Sequence, residues 1–372
     1  MDKPTSRFLS LDVFRGLTVC LMIIVNTAGP GAQPYTWLVH APWFGFTAAD
    51  VVFPSFLFAV GCSMAFAFSR PSPHGAFAAK VLRRAALIFL LGFLMYWYPF
   101  VHKVDGSWTF IPFSDTRVMG VLQRIGLCYA LAAFAARYLS PRWVVALCVL
   151  LLVGYWGVLM AFGDPAAPLS KLGNAGTRLD LLLLAKSHLY RKDGGFDPEG
   201  VLGTLPATVN VLAGYLAARF LKDSPERRRA VIGMALAGVV LVIVALAWSL
   251  AFPIAKKLWT STFVLLTVGI DLLALAGLTA ALEGRAPNPA TRFFQVFGLN
   301  PLVIYLFSEL FVVTIRQFDV TPGVDVYEWI GTNVFQAITP GALGSLLCAI
   351  AYMLVCWLLG YVMDRRGIVV KL

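Results

Sequence analysis

The sequence predicts an all-α, polytopic membrane protein of about ten transmembrane helices with both termini cytoplasmic. Three observations carry that expectation. Of 372 residues, 59% are hydrophobic and 13% charged, with a mean hydropathy of +0.78, too little polar surface to cover a soluble core of this size. Apolar stretches long enough to cross a bilayer recur along the whole chain. The basic residues fall preferentially in alternate loops.

The spans expected are 9–28, 46–69, 81–99, 117–138, 143–163, 200–221, 229–251, 259–283, 293–316 and 341–363, each near the roughly 20 residues a helix needs to cross the hydrocarbon. Helices are expected because each stretch must satisfy its own backbone in lipid. With the N-terminus inside, the inner segments hold Lys3, Arg7, Arg70, Lys80, Arg83, Arg84, Arg137, Arg142, Arg219, Lys222, Arg227 to Arg229, Arg285, Arg292, Arg365, Arg366 and Lys371. Eighteen basic residues thus lie inside against ten outside, with Arg15 and Arg124 left within spans. The net charge of +11 is therefore read as topology in a lipid bilayer, with no nucleic acid implied.

Two external segments are long. Residues 164–199 contain RLDLLLLAKSHLYRKDGGFDPEG, whose leucine-rich part is too short to span and is expected to lie along the interface. Residues 317–340, with Tyr327, Trp329 and Pro340, are expected to form an external lip. The six cysteines sit in apolar runs and imply neither disulfides nor a metal site. Asp12 and Arg15 interrupt the first span and argue against its cleavage as a signal peptide. Residues 1–372 read as a single domain without a repeat.

Ionisable groups inside a span cost about 2.5–3.5 kcal/mol on insertion scales and mark partners, cavities or ligands. Asp12 and Arg15 share one helix face, either as a self-paired couple or with Arg15 free to bind phosphate through its fork of donors. Gln123 and Arg124, in RVMGVLQRIG (117–126), are expected about two turns into their helix. Interhelical hydrogen bonding is one reading; a phosphorylated ligand for Arg124, or Asp271 as its salt-bridge mate, are the others. Asn26 ends the first span and Asn300 precedes Pro301, both positions where asparagine also serves simply as a cap or break. Pro54 and Pro206 lie near helix starts, where proline is tolerated.

The stretch LVHAPWFGFTAADVVFPSF (38–56) places His40 ten residues before Asp50 at the mouth of a span. Histidine at such a boundary is most often an interfacial polar residue. Here Trp43 and Phe44 are positioned to shield it, Gly45 permits close backbone approach, and Asp50 folding back would fix a tautomer. Those are the requirements of a general base. No second histidine or cysteine is near enough for metal ligation.

Taken together, SLDVFRG (10–16), VN (25–26), HAPWFGFTAADVVFPSF (40–56), RVMGVLQRIG (117–126), DPEGVLGTLP (197–206), KLWTSTFVL (257–265) and FGLNPLVIY (297–305) resemble the heparan-alpha-glucosaminide N-acetyltransferase family, and in particular its short bacterial, NagX-type members. The resemblance runs in order from about residue 7 to the last helix. It implies a transmembrane acyltransferase that takes acetyl from cytoplasmic acetyl-CoA and delivers it to a glucosamine-type amino sugar on the other side, in a bacterial inner membrane and as a homodimer. The family's active histidine falls on His40 and its catalytic asparagine on Asn26, with a slightly longer spacing through GPGAQP (29–34). The luminal domain that precedes the helices in the lysosomal enzyme is not matched, so the expected acceptor stays an amino sugar or short glycan rather than heparan sulfate. On this reading His40 acts as base or acetyl carrier, Asn26 supports the oxyanion and Asp50 orients His40. Arg15, Gln123, Arg124 and Asn300 are placed on the cofactor path and Trp43 beside the acceptor. Asp197 and Glu199 either attract the sugar ammonium or cap the following helix. The competing expectation is a proton-coupled amino-sugar permease using His40 and Asp50; the chain shows no inverted repeat of the kind transporters carry.

Overall fold

The computed structural model describes residues 8–68, 73–104 and 107–370. Lys3, Arg7, Arg70 and Lys371, used above for topology, lie outside those residues. Helices form at every expected stretch: α1 (Leu9–Asn26), α2 (Ala48–Ala67), α3 (His74–Trp97), α4 (Val121–Tyr138), α5 (Pro141–Phe162), the short α6 (Ala175–Leu184), α7 (Thr204–Asp223), α8 (Arg227–Trp248), α9 (Ser261–Leu282), α10 (Pro289–Leu299) and α11 (Pro301–Ile315). The short α12 (Val326–Ile330) and α13 (Gln336–Ile338) precede α14 (Ala342–Arg365). Two small antiparallel hairpins, Val101–Val104 with Ser107–Phe110 and Asp319–Thr321 with Val324–Asp325, decorate the loops.

Among the described residues six helices are long and apolar enough to cross a membrane: α1, α2, α5, α8, α9 and α14. A seventh crossing results if α10 and α11 count as one broken span. Helices α3, α4 and α7 are 24, 18 and 20 residues long but more polar, because they carry Lys80, Arg83 and Arg84, Gln123 and Arg124, and Thr208 and Asn210 respectively.

Three local expectations are corrected. The stretch 293–316 is two helices bent by 79°. Pro301 opens α11 and pushes Asn300 to φ −130°, ψ 54°, since the residue before a proline avoids the helical region. Helix α4 begins at Val121, not at 117. Gly120 is extended at φ 177° and lies against the Tyr96 ring, so Gln123 and Arg124 occupy the first turn rather than the second. Pro54 is the seventh residue of α2, beyond its first turn, and so removes the donor that the Asp50 carbonyl would otherwise meet.

The tightest crossings are made by glycines facing backbone. Lipid gives helices no hydrophobic drive to associate, so small residues that let backbones approach become the contact. At the α2–α7 crossing, a Cβ at Gly61 would overlap the Val211 carbonyl and one at Gly214 the Phe58 carbonyl. Gly238 and Gly269 repeat the arrangement between α8 and α9, each Cβ position 2.8 Å from the other's carbonyl oxygen. Gly214→Ala is expected to wedge α2 from α7 and cost about 1–3 kcal/mol, as overpacking does, read as a lower melting temperature in detergent. Gly154→Ala, where a Cβ meets nothing within 4 Å, should leave it unchanged.

Helix α6 buries Ala175, Thr177 and Asp180 while Leu181, Leu182 and Leu183 stay exposed, the two-faced pattern of an interfacial helix. Tyr327 in α12 is buried and its hydroxyl donates to the Thr27 carbonyl at 2.7 Å, closing the 317–340 segment over the end of α1.

Candidate active site

The site is organised by the loop between α1 and α2. Gly45 takes a left-handed φ of +110°, which glycine alone adopts without a Cβ penalty, and its N–H donates to the Ile254 carbonyl at 2.9 Å. That bond docks the loop onto the α8–α9 connection. Asp50, the third residue of α2, is fully buried. Its Oδ2 accepts from the backbone N–H of Thr47 (2.9 Å) and Ala41 (3.2 Å) and from the Thr47 hydroxyl (3.1 Å). Its Oδ1 lies 2.9 Å from His40 Nδ1. A carboxylate accepting this many bonds is ionised, so the His40 proton sits on Nδ1 and Nε2 is left with a free lone pair. The imidazole keeps 37% of its surface exposed, open to a ligand. Burial lowers the His40 pKa, and the Lys256 charge adds to this against the opposing pull of Asp50. His40 is therefore a neutral imidazole able to accept a proton at physiological pH.

Asp197 and Glu199 do not cap α7, which starts at Thr204. They clasp Arg117 instead: Nε and Nη2 donate to the two Asp197 oxygens at 3.0 and 2.5 Å, and Nη2 also reaches Glu199 Oε2 at 2.5 Å. The guanidinium stacks on Tyr96 and Tyr190, 4.9 and 4.6 Å from the ring centroids. Burial alone would raise the Glu199 carboxyl, but Arg117, Arg124 and Lys256 together hold it below the ordinary carboxylate range. Glu199 is thus an ion with its second oxygen left open.

Arg124 is 1% exposed and stacks over Trp259 at 4.9 Å. Its Nη2 donates to the Gly200 carbonyl at 2.9 Å, while among the described residues its buried Nε and Nη1 find no partner, nor does Gln123 Oε1. Gln123 Nε2 donates to the Val118 carbonyl at 2.9 Å. Asp271 is not the mate of Arg124, because its Oδ1 accepts from Ser55 at 2.5 Å on the α2 side. A cavity of about 10 Å³ beside Arg124, lined by Asp180, Asp197 and Lys257, has room for one water.

Asp180 on this wall is pushed up to about 6, chiefly by burial, partly offset by the Val201 N–H that it accepts. Its folded value exceeds its ordinary 3.8, so its stability contribution is complete at low pH and is lost as pH rises through about 6. Asp180→Asn is expected to gain about 1–2 kcal/mol at pH 8 and little at pH 4, measured by thermal unfolding at both.

The remaining predicted residues are placed as follows. Asn26, exposed at the end of α1, donates from Nδ2 to Glu309 Oε1 on α11 at 2.9 Å, so its hydrogen bond and that of His40 do not join the two. Arg15 is paired with Asp12 at 3.0 Å and reaches Ser63 at 3.2 Å. Asn300 holds the C-terminal segment, giving a bond to the Ile368 carbonyl (2.9 Å) and taking one from Val370 N–H (2.8 Å). Trp43 donates to the Leu169 carbonyl at 3.0 Å and packs edge-on against Phe196; Phe44 is 47% exposed and meets the Trp43 ring edge-on. Among the described residues no group of three His, Cys, Asp or Glu side chains is arranged to hold a metal ion.

Three residues were not singled out: Arg117, Lys256 and Glu309. Glu309 carried a readable signal, as the one acid in the apolar run 301–315. Tyr96 and Tyr305 both lie within electrostatic reach of Arg117, Glu199 and Glu309, linking the His40 end of the cluster to the Asn26 end.

The catalytic-region model of the heparan-alpha-glucosaminide N-acetyltransferase family matches residues 7–258. The chain belongs to this family. The matched region contains Arg15, Asn26, His40, Asp50, Arg117, Gln123, Arg124, Asp197, Glu199 and Lys256; Asp271, Asn300 and Glu309 lie beyond it. The heparan-alpha-glucosaminide N-acetyltransferase of Homo sapiens is 26% identical over 363 residues, covering 82% of this chain and 53% of the relative. That of Mus musculus is 26% identical over 367 residues, covering 83% and 54%. The chain spans about half the length of these curated relatives.

Proposed function

We propose that this family member is a transmembrane acetyltransferase that moves acetyl from cytoplasmic acetyl-CoA to the amine of a glucosamine-type sugar on the opposite face. The observation that carries the reading is the His40–Asp50 pair, with a buried carboxylate fixing Nδ1 and an exposed ring presenting Nε2. In this reading α3, α4, α7 and the broken α10–α11 pair complete ten spans, both termini are cytoplasmic, and the protein is a short, NagX-type member in a bacterial inner membrane.

The bound sugar ammonium first releases one proton to solvent; the free amine then attacks the acetyl carbonyl while His40 Nε2 takes its second proton, the C–N bond forms, the thioester C–S bond breaks, and the CoA thiolate recovers that proton from the imidazolium. Asn26 retains a second amide hydrogen beyond the one given to Glu309, which suits it to the developing oxyanion. Arg124, with two unsatisfied nitrogens, and Gln123 line the thioester path. Arg15 receives the phosphates at the cytoplasmic end, where Asn300 shapes the floor through the C-terminal segment it binds. The open oxygen of Glu199 attracts the sugar ammonium, Asp197 holds Arg117 for it, and Trp43 walls the acceptor side.

Purified protein supplied with acetyl-CoA and a panel of amino sugars should release CoA in step with N-acetyl sugar. Uptake of unmodified sugar into liposomes without acetylation would instead establish a permease. Intersecting initial-rate lines with both substrates varied indicate direct transfer, and parallel lines an acetyl-histidine intermediate.

A further inference from the structure

Glu309 is the one acid in α11, an otherwise apolar helix of 15 residues. An acid in such a run is costly to insert and marks a partner or a site. Its Oε1 accepts from Asn26 Nδ2 at 2.9 Å, across 283 positions of the chain. Among the described residues this is the one hydrogen bond that either side chain makes. Both backbones are pinned where the contact forms. One residue before Glu309, the Ser308 carbonyl takes the Tyr352 hydroxyl of α14 at 2.6 Å, and further along α11 the Thr314 hydroxyl meets that of Tyr98 at 2.7 Å. The residue after Asn26 is held twice. Thr27 N–H donates to the Ile23 carbonyl at 3.0 Å, and its own carbonyl takes the Tyr327 hydroxyl at 2.7 Å. Asn26 itself is exposed, and a hydrogen bond open to solvent adds little to stability, since water offers the same groups an alternative partner. Such a bond does not offset the cost of an acid in an apolar helix, so fold stability is a poor account of Glu309.

We propose that Glu309 is a positioning residue of the transfer site, whose carboxyl fixes the flip of the Asn26 side-chain amide. The proposal rests on the reading of Asn26 as the oxyanion donor. An asparagine amide carries N–H donors on one side and a carbonyl oxygen on the other. With the wrong flip, that oxygen would stand against the developing oxyanion and raise the barrier that the N–H lowers. A carboxyl keeps an accepting oxygen whether or not it carries a proton, so Glu309 holds the Nδ2 side in either state. One Nδ2 hydrogen is spent on Glu309, and the second is left for the oxyanion.

The test is steady-state acetyl transfer by wild type, Asn26→Ala, Glu309→Leu, Glu309→Gln and the double variant Asn26→Ala, Glu309→Leu, with the Asn26 side-chain amide followed by NMR of asparagine-labelled protein. Glu309→Leu should displace the Asn26 amide resonance and lower kcat about 10–100-fold, short of the roughly 10²–10³-fold lost with an oxyanion donor itself. The KM for acetyl-CoA should not change. Glu309→Gln, which keeps an accepting oxygen, should recover most of the rate. In the Asn26→Ala background Glu309→Leu should cost nothing further, because the residue acts through Asn26. Equal losses in the two backgrounds, or an unchanged kcat in a folded Glu309→Leu protein, overturn the proposal. Wild type that makes no acetylated sugar refutes the acetyltransferase reading instead; a resonance that still moves then upholds the Asn26–Glu309 coupling, and an unmoved one overturns it as well.

Discussion

His40→Ala is expected to lower the proposed acetyl transfer by about 10²–10⁴-fold, the range lost with a general base, and to leave the fold intact. Among the described residues the ring hydrogen-bonds to Asp50 alone, and with the ring gone Asp50 still accepts from Ala41 N–H, Thr47 N–H and the Thr47 hydroxyl. The start of α2 therefore survives the change. The expected pH dependence has a definite sign: as the proposed base His40 acts when unprotonated, and its pKa is lowered, so the acid limb is expected below the ordinary histidine value of 6.5. Equal activity of the variant and wild type would remove His40 from the chemistry.

Arg117→Met is expected to be the most damaging structural change in the site. Asp197 and Glu199 are 3% and 8% exposed, and losing the cation that forks between them leaves two buried carboxylates without their ion-pair partner. Breaking a buried pair in this way costs about 3–5 kcal/mol. Arg117→Lys should recover only part, because a point charge supplies neither the fork nor the planar stacking on Tyr96 and Tyr190. The triple change Arg117→Met, Asp197→Asn, Glu199→Gln should restore much of the stability by removing the orphaned charges with their partner. Thermal unfolding in detergent measures all three; a triple variant no better than Arg117→Met alone would mean the clasp is not an electrostatic unit.

The parts of the structure legible in the sequence are those that depend on local or periodic information. Apolar length located every long helix, because lipid demands continuous runs whatever the tertiary arrangement. Hydropathy is blind to direction, so 293–316 read as one span although Asn300–Pro301 turns it by 79°. Gly120 carried the start of α4 inward through a contact with Tyr96, a residue 24 positions upstream. His40 and Asp50 were legible together because ten residues of loop and one helix start bring them into contact. The Arg117 clasp joins positions 80 and 82 residues apart, and the Asn26–Glu309 bond spans 283; no local pattern encodes such pairs. Asp197 and Glu199 stand out in the sequence as polar groups beside a helix start, yet their pairing with Arg117 does not, because Arg117 reads as an ordinary basic residue.

Sidedness is the most direct test of the account. Proteoliposomes holding glucosamine inside, with the chain oriented cytoplasmic face outward and labelled acetyl-CoA added outside, should accumulate N-acetylglucosamine in the lumen while CoA remains outside. His40→Ala vesicles should not. Acetylated sugar formed only when both substrates share one side, or label reaching the lumen still attached to CoA, would contradict transfer across the membrane at His40.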